Sequence, residues 1–194
     1  MPTFKDYHRT VIGFHGTRKT IAESIVLGKT QFAPSQNSGD WLGNGVYFWE
    51  YAPQQAWAWA KARYPDEEVA VLGAMIRLGS CFDLLDPTNV AALESFHSQM
   101  VADCEQNNIE PPPQNWRSNK HTDCAVFEYA YGASLASDNK IDTCRAVFVP
   151  SVGSKRARPW KSSGIFRDAH IQLCVRNVSC IQGIWLMTPE EEDQ

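Results

Sequence analysis

Two glycine-flanked segments constrain the fold of this chain more than any other feature. The first is Gly13-Phe14-His15-Gly16-Thr17, and the second is Gly43-Asn44-Gly45-Val46-Tyr47-Phe48. Each has the pattern of a strand that carries one polar or aromatic side chain among apolar residues. Glycine weakens a strand unless another backbone or a ligand has to approach closely. We therefore expect something to lie against both strands.

Composition sets the broad class of the protein. The chain has 194 residues, of which 43% are hydrophobic, and this is enough for the core of a single domain spanning residues 1–194. The acidic residues near the end predict a solvated tail over about 189–194. A formal net charge of −4 excludes a uniformly basic nucleic-acid-binding protein and leaves room for a local basic patch.

The sequence shows no targeting, membrane or metal signal. No apolar run approaches the roughly 18 residues that cross a bilayer, and residues 1–6 lack the apolar stretch of a signal peptide. We therefore expect a cytoplasmic protein without a membrane partner. The six cysteines show no zinc-ligand spacing with each other or with histidine, which predicts free thiols and no metal site.

The order of the predicted elements is mixed, which gives an α+β fold. Apolar periodicity and turn signals predict strands at residues 11–14, 46–49, 69–78, 144–149 and 171–175. They predict helices at residues 20–28, 53–64, 87–106 and 122–131. A capping box from Thr20 to Glu23 opens the first of these helices. Two loops are predicted, at residues 31–40 and 107–121.

Taken together, the two glycine-flanked segments resemble a known family. A strand with His-Gly-Ser or His-Gly-Thr, followed by a strand with Gly-x-Gly-x-Tyr-Phe, is similar to the poly(ADP-ribose) polymerase and diphtheria-toxin branch of the ADP-ribosyltransferases, the His-Tyr-Glu class. The resemblance covers residues 11–64 well and the last strands loosely. It implies an ADP-ribosyltransferase-like split β-sheet core with flanking helices and a cleft that binds NAD as a substrate.

The resemblance also implies roles for the matched residues. His15 would hydrogen-bond the adenosine-side ribose, Gly16 would offer backbone groups to the nicotinamide amide, and Tyr47 would stack on the nicotinamide ring. Thr17 would add a hydrogen bond. Cleavage of the bond between nicotinamide and ribose passes through a sugar cation, so a catalytic site has to orient the ribose and favour positive charge on it.

The third residue of the class departs from the pattern. The family has a glutamate near the start of a late strand, whereas residues 169–176 contain no acid and place Gln172 in that register. A carboxylate about 5 Å from a developing cation contributes roughly 3 kcal/mol at an effective dielectric near 20, or about a hundredfold in rate. Gln172 keeps the hydrogen bond and lacks the charge. An acid from elsewhere, Glu128 or Glu50, is the alternative.

Residues near these positions are further candidates for contacts with NAD. His170 alternates with Gln172 on one face of the late strand and could contact ribose or phosphate. The remaining candidates are Gln55, Trp57 and Trp59 after the tyrosine strand, and Arg18 and Lys19 after the histidine strand.

A basic segment lies just before the late strand. It reads Lys155-Arg156-Ala157-Arg158-Pro159-Trp160-Lys161, and Arg167 follows. Cations with a tryptophan suit phosphates and a stacked base, as in contacts with single-stranded nucleic acid. The segment would contact a macromolecular acceptor, RNA, DNA or protein, through Lys155, Arg156 and Arg158.

The expected function is that of a mono-ADP-ribosyltransferase, which transfers ADP-ribose from NAD to a macromolecule and releases nicotinamide. Family members that lack the glutamate transfer single units, so chain elongation is not expected. The resemblance implies a bacterial toxin or defence effector with an inhibitor or antitoxin partner. Two alternatives stay open: a non-catalytic module that binds NAD or ADP-ribose, and an NAD glycohydrolase that uses water as the acceptor.

Overall fold

The computed structural model describes residues 6–116, 119–136, 140–149 and 158–187, without the side chains of residues 6 and 7. The strands are β1 (Asp6–Arg18), β2 (Val46–Glu50), β3 (Val69–Asp83), β4 (Thr143–Phe148), β5 (His170–Val175) and β6 (Ile181–Leu186). The helices are α1 (Lys19–Val26), α2 (Pro53–Arg63), α3 (Pro87–Gln106) and α4 (His121–Leu135). The α+β class predicted from the sequence is confirmed.

The six-stranded sheet consists of two antiparallel halves. Strands β1, β3 and β6 form one half, and β2, β5 and β4 form the other. Two short seams join them: β1 pairs with β2 at Gly13–Glu50 and Phe14–Trp49, and β3 runs parallel to β4 over residues 81–83. The strand pairings form a closed circuit, and residues 46–48 of β2 are not paired with β1.

The strands of the first half are longer than predicted. Strands β1 and β3 have 13 and 15 residues and pair along most of their length. Gly13 allows the second half to pack directly on β1, because a Cβ there would lie 2.8 Å from the Phe48 Cβ and from the Ile76 Cδ1. The close approach expected at this glycine is therefore made by the core of the protein itself.

Each helix covers a different part of the sheet. Helix α2 packs against β1 at Gly16, where a Cβ would collide with the carbonyl oxygen of Ala56. The side chains of Phe14, Trp49 and Val71 complete this contact. Helices α3 and α4 cover the β2–β5–β4 half, and α1 packs near β3 and β6. The second close approach, at Gly16, thus comes from a helix.

The capping box predicted for α1 is wrong. The helix begins at Lys19, and its N-cap position is Arg18, whose side chain makes no capping hydrogen bond. Pairing of β1 with β3 continues as far as Arg18, and the Arg18 side chain forms an ion pair with Glu67. Long-range strand pairing therefore sets the start of this helix, and Thr20 lies inside its first turn.

One buried guanidinium connects both seams of the sheet. Arg145 of β4 is 4% exposed. It pairs with Glu50 at 2.5 and 2.7 Å and with Asp83 at 3.0 Å. Glu50 belongs to the β1–β2 seam, and Asp83 is the strand partner of Arg145 in the β3–β4 seam. Hydrogen bonding to Glu50 raises the pKa of Arg145, so the guanidinium stays charged.

The described residues carry no feature of a membrane span or of a metal site. In the parts of the chain that the structure describes, no helix combines the length and the apolar content of a membrane span. The same residues contain no group of three or more histidine, cysteine or acidic side chains arranged to hold a metal ion. All six cysteines are free thiols.

Replacing Arg145 with methionine should destabilise the fold strongly, because Glu50 and Asp83 would remain buried without a counter-ion. We expect the free energy of unfolding, measured by urea denaturation at pH 7, to fall by about 3–5 kcal/mol. Arg18→Met is the matched control, since its ion pair with Glu67 is exposed and should contribute little. Equal losses in the two variants would contradict the role of Arg145.

Candidate active site

The candidate site lies where β1 and β2 separate. Backbone pairing between the two strands ends at Phe14 and Trp49. Beyond that pair a side chain bridges the strands, because the Nδ1 atom of His15 lies 2.8 Å from the carbonyl oxygen of Tyr47. The two glycine-flanked segments therefore meet at the split in the sheet.

His15 is held as a neutral imidazole. Because a carbonyl oxygen only accepts hydrogen bonds, Nδ1 carries the proton and donates it to Tyr47. The ring packs against Phe32 and Phe48 at centroid distances of 5.3 and 5.6 Å. This burial lowers the pKa of His15 below its ordinary value of 6.5. Nε2 therefore keeps its lone pair at neutral pH and can accept a hydrogen bond from a ligand hydroxyl.

Tyr47 uses its hydroxyl to brace the loop that precedes β2. The hydroxyl accepts from the backbone N–H of Leu42 at 2.9 Å and donates to the carbonyl oxygen of Gly43 at 2.8 Å. Burial raises the pKa of Tyr47, so the phenol is neutral. What remains for a ligand is the ring, which is the part that a stacking role requires.

The same loop is anchored from α4 by Glu128. Its Oε1 accepts from the backbone N–H of Asn44 at 2.7 Å, and its carboxylate pairs with Arg176 at 2.8 and 2.9 Å. The Arg176 guanidinium also lies 3.8 Å from the ring centroid of Tyr131. Gly43 has a φ of +78°, and a Cβ there would lie 2.5 Å from Glu128. Backbone conformation and lack of space both require glycine at this position.

Both alternative acids have structural partners. Glu128 is bound to Arg176 and to the loop backbone, and does not lie on a solvated helix face. Glu50 is bound to Arg145 and, by strand alternation, faces the opposite side of β2 from Tyr47. Glu50 therefore lies on the face opposite to Gln172, whereas Glu128, on the helix that packs over Tyr47 and Cys174, is engaged by Arg176.

Gln172 lies in a directed chain of hydrogen bonds. The Nε1 atom of Trp41 donates to the Oε1 atom of Gln172 at 2.6 Å, and the Nε2 atom of Gln172 is 3.1 Å from the Nε2 atom of His170. His170 Nδ1 lies 2.7 Å from the carbonyl oxygen of Asp168, so Nδ1 carries the proton and Nε2 accepts from the glutamine amide. This relay, from Trp41 through Gln172 and His170 to Asp168, fixes the orientation of the amide.

Gln172 and Tyr47 lie on the same face of the sheet. Tyr47 is the strand partner of Cys174, and Trp49 is the partner of Gln172. Cross-strand partners point to the same side, and so do alternate residues of one strand. His170 and Gln172 share this face, as the sequence predicted, and both are half-buried.

The other predicted contacts are placed as follows. Thr17 is buried, and Gln55 is half-buried in the first turn of α2. Trp57 packs with the side chains around Phe14, and Trp59 is 42% exposed beside Trp49.

The cations have local partners: Arg18 pairs with Glu67, Lys19 pairs with Glu68, and Arg158 bonds to the carbonyl oxygen of Ser163. Lys155 and Arg156 lie outside the described residues.

Sequence reasoning missed Trp41 and Phe148. Trp41 lies in a loop 131 positions before its partner Gln172, and its ring centroid is 5.3 Å from that of Phe148. Phe148 stacks on His170, again at 5.3 Å. No local pattern marks either residue, because both join the site through tertiary contacts alone.

Comparison with known proteins gives a distant relative. The chain is 23% identical over 186 residues to the uncharacterized protein MJ0359 of Methanocaldococcus jannaschii, and the alignment covers 87% of this chain and 83% of that protein. No protein-family model matches the chain, and no solved structure matches it. Because the relative has no stated activity, function has to be inferred from the site itself.

The hydrogen bonds predict the imidazole states of His15 and His170. Both rings should carry their proton on Nδ1 at neutral pH and titrate below 6.5, because burial lowers both pKa values. The unfolded chain then binds these protons first, so the free energy of unfolding should fall as the pH drops below 6.5 and be fully regained above it. Long-range ¹H–¹⁵N NMR of the rings measures both properties. An Nε2-protonated ring at neutral pH would contradict the assignment.

Proposed function

We propose that this protein is an NAD-dependent mono-ADP-ribosyltransferase with an ADP-ribosyltransferase-like split sheet. In this reaction the bond between the ribose C1′ and the nicotinamide nitrogen breaks, and nicotinamide leaves with the bonding electron pair. A nucleophilic oxygen or nitrogen of a macromolecule then forms a bond to C1′, and its proton passes to solvent. The steps balance without a metal or a redox partner.

The observation that carries the proposal is that the His15 and Tyr47 segments meet at the split through a contact between the His15 ring and the Tyr47 backbone, with the His15 ring on the Phe48 face of the strands and the Tyr47 ring on the opposite face. The two segments are far apart in the chain, yet the His15 imidazole contacts the Tyr47 backbone at 2.8 Å. Gln172 lies on the Tyr47 face of the adjacent strand. These are the three positions that the resemblance requires. The two-half sheet with short seams also supports the proposal, since it leaves the opening between β1 and β2.

The chemistry of each group suits its role. The Nε2 lone pair of His15 can accept from a ribose hydroxyl, and the Tyr47 ring can stack on nicotinamide. The Gln172 carbonyl oxygen has two lone pairs, of which Trp41 uses one. The second can accept from a ribose hydroxyl. An uncharged amide gives weak stabilisation of a sugar cation, which fits transfer of single units.

A non-catalytic module that binds NAD or ADP-ribose is the second candidate. The observation that favours it is that Glu50 and Glu128 are both held in ion pairs, so neither supplies the missing carboxylate. An NAD glycohydrolase would need the same site and would differ in using water. The biological setting proposed is a cytoplasmic toxin or defence effector controlled by an inhibitor protein.

Incubation with NAD labelled in the ADP-ribose portion separates these functions. Label on protein or nucleic acid supports transfer, free labelled ADP-ribose supports hydrolysis, and retained intact NAD supports binding alone.

His15→Ala should lower kcat/KM for nicotinamide release about 10- to 100-fold, corresponding to about 1.4–2.8 kcal/mol of lost transition-state binding. His97→Ala, on the exposed face of α3, is the matched control and should behave as the unaltered chain. Equal activity in both variants would remove His15 from the site.

Gln172→Glu should raise turnover, because a carboxylate would add the missing charge. We expect a gain of up to about a hundredfold in the rate of nicotinamide release, measured at pH 8 to keep His170 neutral. The new carboxylate can still accept from Trp41. Gln99→Glu adds the same charge on the exposed face of α3 and should change nothing. An unchanged or lower rate in Gln172→Glu would show that Gln172 is not the third catalytic position.

A further inference from the structure

A continuous row of aromatic rings runs across the candidate site. We call it the aromatic strip, and its members in order are Trp41, Phe148, His170, Trp49, Trp59 and Tyr64. Neighbouring ring centroids are 5.3, 5.3, 6.5, 5.6 and 6.1 Å apart. The rings come from a loop, from three strands, from α2 and from Tyr64 directly after α2, so tertiary structure assembles them.

The strip is partly open to solvent. Trp49 is buried and forms its floor, Trp59 is 42% exposed, and the other rings are half-buried. Gln172 is the cross-strand partner of Trp49 and bonds to Trp41 and to His170. An amide and an imidazole are thus interleaved with aromatic rings, and neighbouring rings are inclined to one another by 32–85°. Such a surface can stack on bases and hydrogen-bond their edges.

Cations lie at the Tyr64 end of the strip. Lys61 and Arg63 occupy the last turn of α2, and the Arg63 guanidinium is 5.7 Å from the ring centroid of Tyr64. Arg158, Lys161 and Arg167 precede His170, a middle member of the strip, in the chain. Positive charge at the end of a stacking surface suits a phosphate backbone that runs onto it. Because the chain as a whole has a net charge of −4, a local group of cations is a stronger indication of a phosphate-binding surface.

We infer that the aromatic strip binds single-stranded nucleic acid and presents one of its bases or sugars to the NAD site. The inference rests on the proposed function and names its acceptor class. Single strands are favoured over duplexes because the rings can stack only on bases that are free of their own helical neighbours. Single-stranded nucleic acid is also favoured over a protein partner. Its bases can stack on the rings, and its phosphates can pair with the cations near the strip.

Binding can be tested without NAD. A fluorescein-labelled RNA of mixed sequence and about 20 nucleotides exceeds the roughly 4–16 nucleotides that one small domain covers. Fluorescence anisotropy with the full chain should show binding to this RNA and at least about tenfold weaker binding to the same sequence annealed to its complement. Trp59→Ala should weaken binding about 5- to 100-fold, and Trp59→Phe, which keeps a ring, should bind within about threefold of the unaltered chain.

The cations are tested by salt dependence. Lys61→Gln together with Arg63→Gln should lower the slope of log Kd against log salt by about 0.7 for each phosphate contact that is lost. Lys29→Gln is the matched control, because Lys29 is exposed after α1. An equal change of slope in the control would show that the cations at the strip have no particular role. Circular dichroism checks that each variant is folded.

The outcomes separate this inference from the proposed function. Nicotinamide release by the unaltered chain without single-strand binding would overturn the acceptor inference and leave the transferase proposal standing. Binding of single strands that depends on Trp59, in a chain that never cleaves NAD, would support the strip and overturn the transferase proposal. Label found on protein alone, with no RNA binding, would assign the acceptor to the other class of macromolecule and overturn the inference.

Discussion

The buried guanidinium of Arg145 is the interaction on which the geometry of the site depends. Transferring three charges from water costs several kcal/mol per ion, and only close hydrogen bonds to both carboxylates offset this cost. The three residues come from β2, β3 and β4, and they include members of both seams. With the seams held in this way, β1 and β2 can pair over a very short length. Residues 46–48 of β2 then pair with β5 and not with β1, so β1 and β2 separate beyond Trp49.

Ion pairs also determine the charge of the site. The two alternative acids are each held by structural contacts: Glu50 by Arg145 at the seam, and Glu128 by Arg176 and by the loop before β2. The groups at the split are neutral: the His15 imidazole on one face of the strands, and the Tyr47 phenol and the Gln172 amide on the other. The relay enforces this neutrality at His170, because a proton on its Nε2 would face the amide hydrogens of Gln172. Dipoles of fixed orientation, and not a formal charge, are therefore what this site can direct at a bound ligand.

Local patterns predicted the kinds of element well and their lengths less well. The 20-residue helix α3 was predicted with its observed bounds, because Pro87 begins it and its apolar spacing is regular. The ends of β1 and β3 were missed, since those strands are extended by pairing with each other. Strand β6 was missed because all six of its residues are half or fully exposed and do not alternate in burial. The capping box predicted at Thr20 was wrong because β1 pairs with β3 as far as Arg18, so α1 begins at Lys19.

The aromatic strip follows from the packing of α2. A glycine at position 16 removes the side chain that would hold this helix away from β1, and the small residues Ala56 and Ala60 lie at the contact. A helix this close to the sheet places Trp59, one turn beyond Gln55, directly beside Trp49. Trp49 is in turn fixed by its strand pairing with Phe14 and Gln172. The glycine that the resemblance assigns to nicotinamide therefore has a second physical role, since without it the rings on α2 and those on β5 could not form one continuous surface.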